Sequence, residues 1–547
     1  MLRNVILLGG VSVLLISAQS VSNPCKTCHP SETARFLASP MGRSLGPADA
    51  IPPGRTTHSP SASTLTADFR KGQLFHTLSE RGITAEYPVA FQIGRGVKAR
   101  TYAVRVGDYL LESPLTWYKS GGWDVSPGYE AMQLLDFDRP VTENCLFCHA
   151  GRAKAADADG RKIPIAAVTA ITCDRCHGST TAHLARPSAT NIVNPAKLTG
   201  AARDSVCEQC HLEGETRVNN PGKTQWDYRP GDTTEATMAT YLLHDPSEKG
   251  RKAVTQVEEF AESKCAKSGK LWCGSCHSPH PNSSNNAANR ATKVAQVCTG
   301  CHAQPTLSKT VHTAKTTDCA ACHMLARATS NVAHLAVTDH QLRRPGAPPA
   351  PPVPGPPGIK PWRQPPPEFR LRNMALAALQ LAAERNLPAL AAQATRLVES
   401  LPAQQQTNDP EVLAALEVLY LGTSSPEKAV QLSQWAVDSA PNSATFAMNH
   451  GLALMRAKNL PAAEREFLRA LTLDPSLMQA AAQLAILYDR QGRKADSQAA
   501  IARFLKWNPQ SIQFRLSGGQ ERPAPKAFLE SIPHRLTLAD MGRPTRD

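Results

Sequence analysis

Residues 264–280 read KCAKSGKLWCGSCHSPH. Cys273, Cys276 and His277 form a recognisable CxxCH unit. The unit recurs as CKTCH at Cys25, CLFCH at Cys145, CDRCH at Cys173, CEQCH at Cys207, CTGCH at Cys298 and CAACH at Cys319. Seven copies use fourteen of the fifteen cysteines and leave Cys265 over.

A disulfide network does not require a histidine after every second cysteine, and zinc ribbons combine cysteine pairs or add a separated histidine pair. The repeated unit is the attachment motif of haem c, whose vinyl groups take the two thiols and whose iron takes the imidazole. The covalent sites are therefore Cys25 and Cys28, Cys145 and Cys148, Cys173 and Cys176, Cys207 and Cys210, Cys273 and Cys276, Cys298 and Cys301, and Cys319 and Cys322. The proximal iron ligands are His29, His149, His177, His211, His277, His302 and His323, and the cofactor set is seven haem c. The formal charge of +14 is offset by about −2 for each ferrous haem, so basic residues are read as propionate partners rather than a nucleic-acid surface.

Arg3 followed by VILLGGVSVLLISA reads as a secretory signal ending near residue 20, too short an apolar run to span a bilayer. No later segment is apolar enough to cross a membrane, so the expectation is an exported chain, periplasmic or at the cell surface. Residues 21–344 then form a loop-rich, mainly α multihaem domain, with a small β-rich insertion at about 65–125 where Val, Tyr and Thr concentrate between glycine turns. The aromatic group Trp117, Tyr118, Trp123 and Tyr129 reads as a turn-anchored β cluster.

Twelve of the 23 residues from Pro345 to Pro367 are proline, which marks 345–368 as an extended linker. Beyond it, Pro441, Pro475 and Pro509 recur at 34 residues, the period of tetratricopeptide repeats, with Ala429, Ala436, Gly451, Ala463, Phe467 and Tyr488 at packing positions. An all-α repeat solenoid is expected over 369–511, begun by a divergent helical pair, and 512–547 read as a tail. His450 falls at a packing position and reads as structural.

Function depends on the sixth coordination position of each iron. Outside the motifs, the first domain holds eight further imidazoles for seven distal positions, so full bis-histidine coordination is arithmetically possible. His183, His280 and His312 lie in short motif-bearing segments able to reach a neighbouring iron, and His334, His340 and His58 are further candidates. His76 sits in a packing context and His244 has little context. Met41 is a thioether ligand or a core side chain. Cys265 is a buried inert thiol, an axial sulfur, or a redox-active or intermolecular thiol.

The blocks SPMGRS, GRGVKARTY, SPLTWYKSGGWDVSPGY, ITCDRCHG, IVNPAKL, DSVCEQCHLEGETR, CGSCHSPH, CAACHM and HLAVTDHQLRR, in this order, resemble exported multihaem c-type cytochromes of acidobacterial type with C-terminal tetratricopeptide repeats. Their haem domain is similar to the tetrahaem cytochrome and hydroxylamine-oxidoreductase superfamily. The resemblance implies electron transfer between redox partner proteins, with His183, His280 and His312 as distal ligands and the repeats holding a protein partner. It supplies no substrate and no catalytic residue, and no CxxCK unit of the pentahaem nitrite-reductase kind is present. Two other readings stand beside the carrier: an oxidoreductase acting on a small nitrogen or sulfur compound at an open haem, and a docking or sensor protein dominated by its repeats.

Overall fold

The computed structural model describes residues 23–165, 168–245, 250–281, 287–302, 318–344, 346, 357–385, 387–402, 405, 408–421 and 425–518. The segment expected to be a signal, His312 and the chain beyond residue 518 lie outside the described residues.

Between Leu45 and Val125 the chain forms a nine-stranded antiparallel sheet, larger and earlier-starting than the small insertion expected at 65–125. Strands Gly54–His58, Ser63–Arg70, Gln73–Glu80, Ile83–Ile93, Ala99–Val106, Leu115–Tyr118 and Gly122–Val125 follow one another in the sheet. Leu45–Gly46 and Tyr109–Glu112 add to its sides. The alternation of strands explains the burial: in Gln73–Glu80, Leu74, His76, Leu78 and Glu80 point inward while their neighbours do not. Lys71-Gly72 and Arg81-Gly82 close the hairpins on either side, each with two positive φ values, as a two-residue turn matching strand twist requires. The core behind the sheet is apolar, with Leu65, Leu78, Val104, Leu115 and Phe137 fully buried.

From residue 143 to 344 the texture changes to short helices, and six of them hold or border a CxxCH unit: Glu143–His149, Asp174–His177, Gly200–His211, Cys273–Cys276, Ala287–Thr299 and Cys319–His323. The domain as a whole is therefore mixed rather than mainly α, with a large sheet and a motif region of brief helices and loops.

The repeat region consists of helical hairpins: Arg370–Arg385 with Pro388–Glu399, Pro410–Leu421 with Pro426–Ser439, Ala444–Arg456 with Leu460–Leu473, and Met478–Arg490 with Lys494–Trp507. The first is the divergent pair, and the others carry the 34-residue period. Small residues allow the close approach: a Cβ on Gly451 would lie 2.7 Å from the Phe467 ring. His450 is buried, with its Nδ1 2.8 Å from the Ser433 hydroxyl, a packing role.

Two expected boundaries shift. Gly358–Pro361, inside the proline-rich linker, pairs as a strand with Met238–His244, and Arg363 binds both Glu208 and Glu235. The linker is thus pinned to the motif region from residue 358, where Gly358, Ile359 and Lys360 interrupt the prolines and Arg363 reaches the Glu208 and Glu235 carboxylates. Residues Ile512–Gly518, assigned to the tail, form a helix whose Ile512 enters the sheet core, with Ser511 bonded to Asp136 at 2.6 Å. The first hairpin shares one apolar core with Val218, Ala239 and Tyr241. At mid-length, Asp159 accepts from Ser443 and Ala444, and Arg161 pairs with Asp474 at 2.9 Å. The solenoid is therefore fastened at both ends and in the middle.

Candidate haem-binding site

Each motif closes as a helical turn. The histidine N–H donates to the first cysteine's carbonyl at His29 (2.7 Å), His177 (2.9 Å), His277 (2.9 Å) and His302 (2.8 Å). This turn puts both thiols and the imidazole on one face, the condition for gripping one macrocycle.

Residues of all seven motifs line one continuous cavity of about 4130 Å³, against roughly 300–1,000 Å³ for an ordinary small-ligand pocket. Eight lysines and arginines line it, among them Arg95, Arg175, Lys293 and Arg343, against three carboxylates. Such an excess suits groups that bring carboxylates with them, as haem propionates do. No cysteine is in a disulfide.

The imidazoles give the most specific fit. The ring centroids of His29 and His183 are 6.4 Å apart, those of His177 and His280 6.1 Å, and those of His277 and His340 6.1 Å, with interplanar angles of 21°, 19° and 24°. Rings bonding one metal ion from opposite sides, each through Nε2 at about 2 Å, stand with centroids about 6 Å apart. Each pair joins a motif histidine to one outside the motifs.

Ring-nitrogen bookkeeping supports the same sorting. His177 Nδ1 meets the Val193 carbonyl at 2.8 Å, His323 Nδ1 that of Arg343 at 2.9 Å, and His340 Nδ1 that of Thr338 at 2.9 Å. His183 Nδ1 lies 3.0 Å from both the Ser188 carbonyl and the Asn191 side-chain oxygen. A carbonyl on Nδ1 fixes the proton there and leaves Nε2 for a metal. Burial lowers the pKa of His211, His277 and His280, favouring the neutral, ligating form.

The other candidates are placed elsewhere. His58 is buried in the sheet, with Nδ1 2.7 Å from Ser61 Oγ and Nε2 3.0 Å from the Glu130 carbonyl, so both nitrogens are engaged. His334 turns Nε2 to Asp124 at 2.7 Å. His76 packs between Tyr102 and Trp123, and its pKa is pushed down to about 3 by burial. None of these three is brought to the cavity. His244 ends a strand paired to Gly358, also outside the cavity lining. Met41 and Cys265 do line it. Cys265 is half-buried, its thiol raised by burial, within electrostatic reach of Cys301 and Cys276.

Thiols of different motifs also meet. Cys25 contacts Cys173, Cys148 contacts Cys210, Cys207 contacts Cys273, and Cys298 contacts Cys319. Cys207 also lies in reach of Cys176, and Cys298 of Cys276. Numbering the motifs along the chain, contact or electrostatic reach links them as 1–3–4–5–6–7, with motif 2 attached to motif 4 as a branch. The order follows the chain except at motif 2, and sequence spacing gave no sign that motif 2 would stand aside while motif 1 meets motif 3. Equally invisible was Glu208, inside motif 4, as the anchor for Arg363; burial pushes its carboxyl up to about 7.

The doubled CXXCH motif family matches residues 264–306, the stretch that begins at Lys264. This doubled motif marks the chain as a carrier of covalently bound c-type haem. No curated protein matches the chain. Among solved structures, a crystal structure of MamA is similar to it at 20% identity, covering 29% of this chain and 92% of that one with a TM-score of 0.23. The PilF protein of Pseudomonas aeruginosa is 20% identical, covering 31% and 78% with a TM-score of 0.24. The tetratricopeptide-like assignment rests on the chain's own period and hairpins.

Proposed function

We propose that the chain is an exported heptahaem c-type cytochrome, periplasmic or at the cell surface, that carries electrons between redox partner proteins. The observation that carries this reading is the facing of three motif imidazoles by three others at 6.1–6.4 Å, the arrangement of a six-coordinate iron suited to electron transfer. When bound, haem supplies a one-electron iron couple at each motif. The chain's own residues would grip the macrocycles through paired thiols, orient the imidazoles through Nδ1 carbonyl contacts, offer cations to the propionates, and keep neighbouring motifs close together. The repeats present a surface for a protein partner, and their three fastenings would keep that partner at a fixed place relative to the motifs. The test is the purified holoprotein: seven covalent haems per chain, taking up seven electrons and passing them to an acceptor protein, support the reading. Fewer than seven haems, or fully reduced protein that delivers no electrons, contradicts it.

A second reading, an oxidoreductase acting on a small nitrogen or sulfur compound, is favoured by one observation. His58, His76, His334 and His244 stand outside the cavity lining, so the eight imidazoles counted for seven distal positions are too few. An iron without a protein sixth ligand is open to a small molecule.

A further inference from the structure

Four arginines are buried among the described residues, and they divide into two kinds. Arg161 pairs with Asp474 at 2.9 Å, and Arg372 with Asp409 and Glu411 at 2.6 Å each, in or against the repeats. Arg175 and Arg217, 9% and 4% exposed, lie among the motifs instead. Neither has a carboxylate within ion-pair distance among the described residues, and the Nε of each is buried without a hydrogen-bond partner. A buried cation left unpaired is costly, so the exception calls for a physical reason.

Both side chains converge where motif 2 branches from the order. Arg175, inside motif 3, donates through Nη2 to the Phe147 carbonyl of motif 2 at 2.9 Å and stands 4.1 Å over the Phe147 ring. Its own carbonyl accepts from the Gln209 side chain of motif 4 at 2.9 Å. Arg217 donates to the carbonyls of Glu208, Gln209 and Leu212, closing the end of the helix that carries motif 4. The two guanidinium groups act together on the Cys210 thiol, and Arg217 acts on Cys148 as well. The acids nearby are engaged otherwise: Asp174 accepts from Thr172, and Glu208 binds Arg363. Glu258, in reach of Arg217, accepts from the Gly214 N–H, and burial raises its carboxyl. Carbonyl dipoles and a ring face offset part of each charge. The remainder stands beside the Cys148–Cys210 contact, next to the fully buried Phe147.

Reduction lowers the positive charge at a haem iron by one unit, and a cation fixed in a low-dielectric surrounding favours that change. We infer that Arg175 and Arg217 set the haems of motifs 2 and 4 at the highest potentials of the seven, which makes the branch the store where electrons entering the order collect. This rests on the multihaem reading of the cavity and deepens it, because it gives the one motif that stands aside from the order a task of its own.

The experiment is a potentiometric titration of the full-chain holoprotein in the visible region, with haem content measured alongside. Arg175→Gln keeps an amide donor for the Phe147 carbonyl and leaves the thiols and imidazole of motif 3 intact; it should lower the two most positive midpoint potentials. Arg175→Lys, which keeps the charge, should restore them, and Arg217→Gln should lower the same two. Unchanged potentials in either glutamine variant overturn the inference. So does a fall in Arg175→Lys as large as that in Arg175→Gln, the result a packing role alone would give. If the variants fail to load haem, the wild type decides: in a stepwise reduction followed by nuclear magnetic resonance, the haems of motifs 2 and 4 should take the first two electrons, and any other order overturns the inference. A seven-haem protein that delivers electrons but fails these tests refutes the inference alone. Fewer than seven haems with the charge-dependent fall intact refutes the heptahaem carrier and spares it, so the two failures are distinguishable.

Discussion

The motif region and the repeat region reach stability by different means. In the repeats, Ala447, Ala463, Phe467, Ala470, Leu484 and Leu487 are buried in one cluster, so side chains alone fill the space between helices. Across residues 168–344 the helices are four to thirteen residues long and surround a cavity of about 4130 Å³ in place of a core. Isolated helices so short do not hold themselves. On the proposed reading the macrocycles take the place of that core, so one region folds as an ordinary solenoid and the other folds with its cofactors.

Withholding haem should break the symmetry most severely. Chain produced without cytochrome maturation should be cut by protease within residues 168–344, while fragments containing the hairpins between 370 and 507 survive. Peptide mapping checks this, and uniform resistance would contradict it. The next largest effect is within the repeats: Phe467→Ala removes a ring with 0% exposure and should cost about 3–5 kcal/mol of unfolding free energy. Denaturant melts followed by helical signal would read that loss, and the haem spectrum should not move.

A comparable but more local effect is expected where the regions meet. Arg161 and Asp474 are 4% and 2% exposed, and removing one partner of a buried pair costs about 3–5 kcal/mol. Arg161→Ala should raise hydrogen exchange at Ser443–Thr445 and Ser476, with the haem ligation unchanged.

The other junction depends on pH. Burial raises the Asp136 carboxyl to about 6 and that of Asp138 to about 7. A carboxyl whose folded pKa lies above its unfolded value near 4 favours the folded state at low pH, and that contribution is lost as pH rises through the folded pKa. Anchoring of Ile512–Gly518 on the sheet should therefore weaken between about pH 4 and 7, by roughly 3 kcal/mol for Asp136. Asp136→Asn should flatten that profile in hydrogen-exchange measurements. The smallest effect is the sharpest control: His334→Ala loses an Asp124 contact and should leave every haem spectrum unchanged.

The two regions were also legible to different degrees. The 34-residue period and its small residues gave the repeats directly, since each unit is stabilised by its own side chains. The seven CxxCH units were likewise legible, because a local turn suffices to bring their thiols and imidazole together. Distal histidines were legible only in part. His183, His280 and His340 face motif imidazoles, but His58 and His334 do not, and what separates them is which element received them. Their engagement by Ser61 and Asp124 depends on sheet pairing across distant strands. The proline run concealed Arg363, whose partner Glu208 lies 155 residues away. The helix at Ile512 was hidden because its seven residues are stable only against the sheet.

The central claim is that three motif irons are held between paired imidazoles. It is tested most directly by electron paramagnetic resonance of the ferric holoprotein carrying His183→Ala, His280→Ala and His340→Ala together, with covalent haem content unchanged. Three more high-spin irons per chain than in the wild type are expected; a spectrum indistinguishable from the wild type would contradict the account.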